Sequence, residues 1–284
     1  MMQAGELFPR TVSAAARLAV TLLLVAMLAI GVATAAANWH LTDLKAYLAA
    51  ADLLASGGNP FEVQLWERGL PYHYHYSPWF AALFVPALAL PAGVVSVGWS
   101  LLLGAAAAVS LLPLVQQHGW RSTPLVLLMA FLYLNLVAEG NVQALLLAGL
   151  VWTLERRSGP VMIGIAASLK LVPILLTLVY IGRGEWRRAL VAAAVTAVLL
   201  APTLLFEIAP TAVETGGTGL FSTAPVLWGI GVVAALAITL LLARGRHAWL
   251  AASVATVLAL PRLLIFDVSN LVTAFPDRAP VDRD

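Results

Sequence analysis

The chain contains no cysteine. A disulfide, an iron–sulfur cluster, a thiolate zinc site and a cysteine nucleophile are therefore excluded. Charge is nearly as scarce: 11% of the 284 residues are charged and 61% are hydrophobic. A soluble domain typically carries about 25% charged residues. With a mean hydropathy of +0.92, the shortfall is too large for a water-soluble domain of any core size. A basic excess is also missing, because 16 Lys and Arg face 14 Asp and Glu. The basic residues are dispersed as well, so nucleic-acid binding is disfavoured. No 20–50-residue repeat is visible, and the chain does not divide cleanly into inverted halves. Neither a solenoid nor an inverted-repeat transporter finds support there.

What the chain does have is apolar length. Leu18–Ala37, Ala189–Leu205, Val226–Ala243 and Ala248–Pro261 contain no charge. A helix that crosses a bilayer needs about 20 apolar residues, so the pattern predicts an all-α polytopic integral membrane protein with about 8–10 transmembrane or half-membrane helices. Residues 1–275 read as a single transmembrane domain, 38–77 as its first outer loop, and 276–284 as a frayed polar tail. The run Leu18–Ala37 exceeds the usual 7–15-residue core of a signal peptide, which favours a retained helix. Several later blocks are shorter than a bilayer and are interrupted at Pro91, Gly140, Pro173 or Pro202. Broken helices at membrane depth need protein or an aqueous cavity to receive the freed backbone groups.

Arg10 and Arg17 place the N-terminus in the cytoplasm, together with the corners carrying Arg121, Arg156–Arg157, Arg183–Arg188 and Arg244–Arg246. The 38–77 loop, the Glu139–Gln143 corner and the Lys170 corner then fall on the outer side. Between residues 78 and 120, alternation requires an odd number of crossings, yet two apolar blocks lie there. Either one block is a partial helix or the charge rule fails locally.

In so apolar a chain the few ionisable residues carry the information. Asp43 follows Thr42 at the head of a segment in which Leu44, Leu48, Ala51 and Ala55 recur at helical spacing. That predicts an interfacial helix capped by Thr42 and ended at Gly57-Gly58. Asp43 in the first turn is either a dipole-favoured surface acid or a carboxylate at the mouth of a cavity, able to take a proton from a hydroxyl. The residues alone favour the surface acid. Tyr72-His73-Tyr74-His75-Tyr76 reads as an interfacial aromatic belt, and two histidines are too few for a metal site. Acid-poor outer loops likewise disfavour a metal cage. Asn141 and Gln143 suit either a polyhydroxylated substrate or a helix cap. Lys170 lies in an apolar stretch just before Pro173, where an ammonium costs about 2.5–3.5 kcal/mol on insertion scales and marks a functional candidate. A phosphate is its natural partner. Arg262 and Asp267 form either a mutual ion pair or part of a lipid-phosphate pocket.

Taken in order, these pieces make a pattern: Asp43 and Tyr47 after the first helix, Gly58-Asn59-Pro60-Phe61, Tyr76-Ser77-Pro78, Gly140-Asn141-Val142-Gln143, Leu169-Lys170-Leu171-Val172-Pro173, then an Arg-rich turn. Over residues 38–190 this resembles glycosyltransferase family 87, the membrane mannosyltransferases of GT-C architecture, with a weaker echo at Pro261-Arg262 and Phe266-Asp267. The resemblance implies a GT-C-like helical bundle in the cell membrane with interfacial helices in the first outer loop and no cofactor. It implies transfer of a hexose, typically mannose, from a polyprenyl-phosphate donor to a glycolipid or glycan hydroxyl at the outer membrane face. By the same resemblance Asp43 becomes the general base, and Lys170 and Arg262 bind the donor phosphate. Tyr47, Tyr76, Asn141 and Gln143 become substrate contacts, with the two amides exchanged relative to the family's order. The rival expectations are a transporter or lipid flippase that uses the same charges without chemistry, and an inactive scaffold subunit.

Overall fold

A computed structural model describes residues 14–37, 39–67, 70–208 and 220–277. Arg10, the Arg17 side chain, Arg68 and the tail beyond Asp277 lie outside the described residues, as does most of the loop between Glu207 and Ser222. The architecture is helical. α1 (Ala14–Ala37) and α2 (Thr42–Ala55) are followed by a hairpin of β1 (Gln64–Glu67) and β2 (Leu70–His73). Then come α3 (Pro78–Phe84), α4 (Ala92–His118), α5 (Thr123–Glu139), α6 (Gln143–Thr153), α7 (Gly159–Leu169) and α8 (Thr177–Arg183). α9 (Trp186–Leu200), α10 (Leu220–Thr223), α11 (Pro225–Leu242) and α12 (Ala248–Leu258) complete the bundle, and a 3-10 segment, Ile265–Ala274, follows.

Among the described residues, three helical stretches are long and apolar enough to cross a membrane: Ala92–His118, Trp186–Leu205 and Pro225–Leu242. Between residues 78 and 120 the two apolar blocks differ in length. α3 has seven residues and its 3-10 continuation Val85–Ala89 has five, which together rise about 20 Å, well short of a bilayer. α4, with 27 residues, is long and apolar enough to cross. The punctuation residues act where their chemistry requires. Pro91 caps α4, Gly140 ends α5, Pro173 turns the chain into 3-10 geometry after Lys170, and Pro202 does the same after α9.

Helices pair through small residues, as expected where lipid removes the hydrophobic incentive for helices to associate. α7 packs on α9, α1 on α5, α4 on α6 and α11 on α12. At Gly164 on α7 an added Cβ would lie 2.6 Å from the Val195 Cβ of α9. Far along the chain from α2, a polar clamp ties three corners together. Arg183 donates to both carboxylate oxygens of Glu155 at 2.9 and 3.1 Å and to the Ala243 carbonyl at 3.0 Å. The Trp249 indole donates to the same carboxylate. Arg188 stacks 4.1 Å from the Tyr180 ring and donates to the Leu154 and Arg156 carbonyls.

Three local expectations need correction. Thr42 is not the cap of α2. Leu41 takes that position in left-handed geometry (φ 48°), because its N–H donates to the Ala138 carbonyl at the end of α5 at 3.1 Å. The buried face of α2 carries Asp43, Leu44, Tyr47, Ala50 and Ala51, whereas Leu48 is half-buried and Ala55 exposed. Helix α2 therefore packs against protein on the side that bears its acid. The polar tail is also tied down at its start. Pro276 accepts a bond from the Gln117 amide at 2.8 Å, and Asp277 pairs with Arg156 at 2.6 Å.

Candidate active site

Asp43 is 2% exposed. Its position follows from the corner between α5 and α6. Gly140 ends α5 at φ +74°, a left-handed conformation that favours glycine. The space is restricted too, since an added Cβ would sit 3.2 Å from the Leu44 Cβ and 3.3 Å from the Leu44 nitrogen. The first turn of α2 thus rests directly on backbone. The Trp99 indole of α4 donates to the Gly140 carbonyl at 2.8 Å, and the Val142 N–H donates to the Tyr47 hydroxyl at 3.3 Å. Just ahead of α6, the Asn141 side-chain oxygen accepts from the Gln143 N–H at 2.9 Å.

Polar side chains from five chain segments converge here. The Tyr72 hydroxyl, carried on β2, donates to Asp43 Oδ1. Asp43 Oδ2 is buried and meets no hydrogen-bond partner among the described residues. Lys170 stands at the end of α7, in extended backbone just ahead of the proline break. Its Nζ donates to Gln143 Oε1 at 2.5 Å and lies 5.8 Å from the centre of the Phe266 ring. The Gln143 amide in turn donates to Ser269 Oγ at 3.1 Å. Asp267 accepts from the Leu264 N–H at 2.9 Å and faces the Lys170 charge.

Asp43 belongs to the loop region between α1 and α3, outside the spanning helices, so its ionisation can be followed. Burial pushes its carboxyl up from 3.8 to about 7. The Lys170 ammonium opposes that rise, Glu139 adds to it, and the Asn141 carboxamide favours the charged form. A carboxyl that titrates near neutrality and has a free lone pair is equipped to accept a proton at physiological pH.

Two hollows flank this cluster. One, of about 300 Å³, is lined by Phe61, Tyr74, Tyr76 and Thr203 together with the residues on either side of Lys170, Leu169 and Leu171. The other, of about 470 Å³, is almost wholly apolar and runs between Phe80–Leu90 and α4, with Phe84 and Trp99 on its wall. Tyr47 packs its ring against Tyr76 at 5.2 Å, Phe80 at 4.9 Å and Trp99 at 6.1 Å, and so stands between the two.

Of the residues singled out from sequence, Asp43, Tyr47, Tyr76, Asn141, Gln143 and Lys170 come together. Arg262 is exposed, and its charge acts on Asp267, which faces Lys170. Sequence reading missed Tyr72 and Ser269. Tyr72 was absorbed into the aromatic belt, although its alternation with Tyr74 and Tyr76 is what an extended strand would show. Ser269 lies 126 residues from its partner, and nothing in its neighbourhood signals the contact. Among the described residues no group of three or more His, Asp or Glu could hold a metal ion.

Comparisons with curated proteins and with solved structures find no significant match. Comparison with family models matches residues 74–266, more than half of the chain, to glycosyltransferase family 87. The matched stretch includes Tyr76, Asn141, Gln143, Lys170 and Arg262, and it begins after Asp43, Tyr47 and Tyr72. With its helical membrane architecture and this match, the chain belongs to glycosyltransferase family 87 and is a membrane glycosyltransferase.

Proposed function

We propose that this glycosyltransferase moves a hexose, mannose in the first instance, from a polyprenyl-phosphate donor to a hydroxyl of a glycolipid or glycan at the outer membrane face. Asp43 is the general base. The observation that carries the reading is the buried Asp43 carboxylate with one unpartnered oxygen, set within electrostatic reach of the Lys170 ammonium.

In this reading the acceptor O–H gives its proton to Asp43 Oδ2 while its oxygen attacks the anomeric carbon. The bond from that carbon to the phosphate oxygen breaks, and the electron pair leaves on the polyprenyl phosphate. A hydroxyl is a weak nucleophile, so removing its proton as attack proceeds supplies part of the acceleration. Lys170 meets the charge that grows on the leaving phosphate. Gln143 holds the ammonium in place, and Ser269 holds Gln143. Arg262, exposed and acting on Asp267, is the second cation assigned to the phosphate. Direct displacement inverts the anomeric centre. The apolar hollow beside α4 supports a lipid-linked donor, since its lining suits an isoprenoid chain and offers almost nothing to a nucleotide.

Vesicles containing the purified protein and polyprenyl-phosphate-[³H]mannose test the reading. Expected are free polyprenyl phosphate and label in a glycolipid or glycan acceptor. Label that crosses the bilayer with the donor intact would make the protein a carrier and refute transfer.

A further inference from the structure

A second polar centre lies away from Asp43. Helices α6 and α7 run between the two: Gln143 opens α6 and Lys170 follows α7, whereas Glu155 and Ser158 stand at their opposite ends. With 11 residues each, these helices set the centres roughly 16 Å apart. Three corners meet at the second centre, 155–157, 183–188 and 244–246, and they hold seven arginines. The three carboxylates there are taken, Glu155 by Arg183, Glu185 by Arg188 and Asp277 by Arg156. The arginine excess at this one end is larger than the +2 of the whole chain.

The corners are braced against each other. Arg183 Nε donates to the Ala243 carbonyl at 3.0 Å, and Arg244 Nε donates to the Gly182 carbonyl at 3.2 Å. This exchange needs a glycine at 182, where an added Cβ would collide with the Ala243 Cβ. Arg187, Arg244 and Arg246 are exposed beside the brace. Helices α9 and α12 also begin here, and neither has a side-chain cap on its first turn. Their N-terminal amides add to a field that favours an anion.

The surroundings select which anion. The stretches Trp186–Leu205 and Pro225–Leu242, both long and apolar enough to cross a membrane, end at these corners. Trp186 is 59% exposed, Leu190 67% and Leu241 82%, so apolar surface continues directly from the arginines. The linkers are only Gly184-Glu185 and Ala243–His247, too short to lift the cations clear of the headgroup layer toward a soluble acidic partner. A ligand with a phosphate at one end and hydrocarbon at the other meets both surfaces. We propose that the braced α8–α9 and α11–α12 corners form a site for one anionic phospholipid of the surrounding bilayer, with Arg187, Arg244 and Arg246 on its phosphate. The site is separate from the transfer chemistry and does not depend on it.

Native mass spectrometry of the solubilised full chain, titrated with dioleoyl-phosphatidylglycerol or dioleoyl-phosphatidylcholine, tests the site. One phosphatidylglycerol per chain is expected to be held at least about tenfold more tightly than phosphatidylcholine. Arg187→Gln leaves the Arg183–Arg244 brace intact and should weaken phosphatidylglycerol about fivefold. Combined with Arg244→Gln and Arg246→Gln, it should bring the two lipids level. Arg121→Gln removes an arginine from the separate corner between α4 and α5 and should leave binding unchanged. Inorganic phosphate and polyglutamate, added in excess, should not displace the lipid. Equal retention of both lipids by the wild type, or equal weakening by Arg187→Gln and Arg121→Gln, overturns the site. Displacement by phosphate would make it a free-anion site and displacement by polyglutamate a protein-docking surface, and either result overturns the lipid assignment.

Discussion

Replacing Asp43 by Asn pits activity against stability, and the structure predicts both signs. The carboxyl ionises near 3.8 in the unfolded chain and near 7 when folded, because burial disfavours its charge. The folded state therefore binds the proton more tightly. The stability this confers is fully present below pH 3.8 and is lost as pH rises through 7. Above pH 7 the wild type carries a penalty of about 4 kcal/mol, because folding raises the carboxylate's proton affinity roughly a thousandfold and each factor of ten is worth about 1.4 kcal/mol. The carboxamide cannot ionise and keeps an oxygen for the Tyr72 hydroxyl, so it escapes that penalty. Thermal melts in detergent at pH 8 should show Asp43→Asn more stable by roughly 10 °C, with the two proteins converging near pH 4. Transfer should fall by about 10²–10⁴-fold, the usual worth of a general base. In the wild type kcat/KM should climb with pH through about 7 and then level, since the ionised form is the working one. A variant that keeps its activity, or that melts below wild type at pH 8, would refute the assignment.

Three further outcomes are expected. Lys170→Met should raise the donor KM about tenfold or more while leaving the acceptor KM alone; equal donor affinity in initial-rate assays would remove the phosphate contact. Gly140→Ala should cost about 1–3 kcal/mol, because φ is +74° and the new Cβ meets Leu44. It should also lower kcat, since the turn carrying Asp43 is displaced, and thermal melts paired with rates will show both changes or neither. Glu155→Gln removes the charge that Arg183 and Trp249 share and should destabilise by about 2–3 kcal/mol. Because the clamp is remote from Asp43, both KM values should hold in whatever fraction stays folded.

The sequence disclosed the membrane class and the places where helices stop, because composition and the backbone limits of Pro91, Gly140, Pro173 and Pro202 are local facts. It also disclosed most of the cluster, since each ionisable or amide residue stands out against an apolar background. The face of α2 was not legible. Alanines at 49–51 and 55 make two stripes equally apolar, and only the close approach at Gly140 decides that Asp43 faces inward. The hairpin escaped notice for a related reason. Two four-residue strands, one of them containing Pro71, carry too little alternation to register. The sequence offers Arg262 as a second cation beside Lys170; the chain places it exposed, with its charge acting on Asp267.

The Tyr72 contact has a consequence for economy. With Asp43 as the base, its carboxylate lies under a phenol at rest, and its second oxygen is closed off from solvent. Water is an alcohol's smallest competitor, and an uncovered base would let it cleave the lipid carrier from its cargo to no purpose. With the phenol on one oxygen and protein packed over the other, a base placed here starts dry, and stray hydrolysis of the carrier is held down by burial.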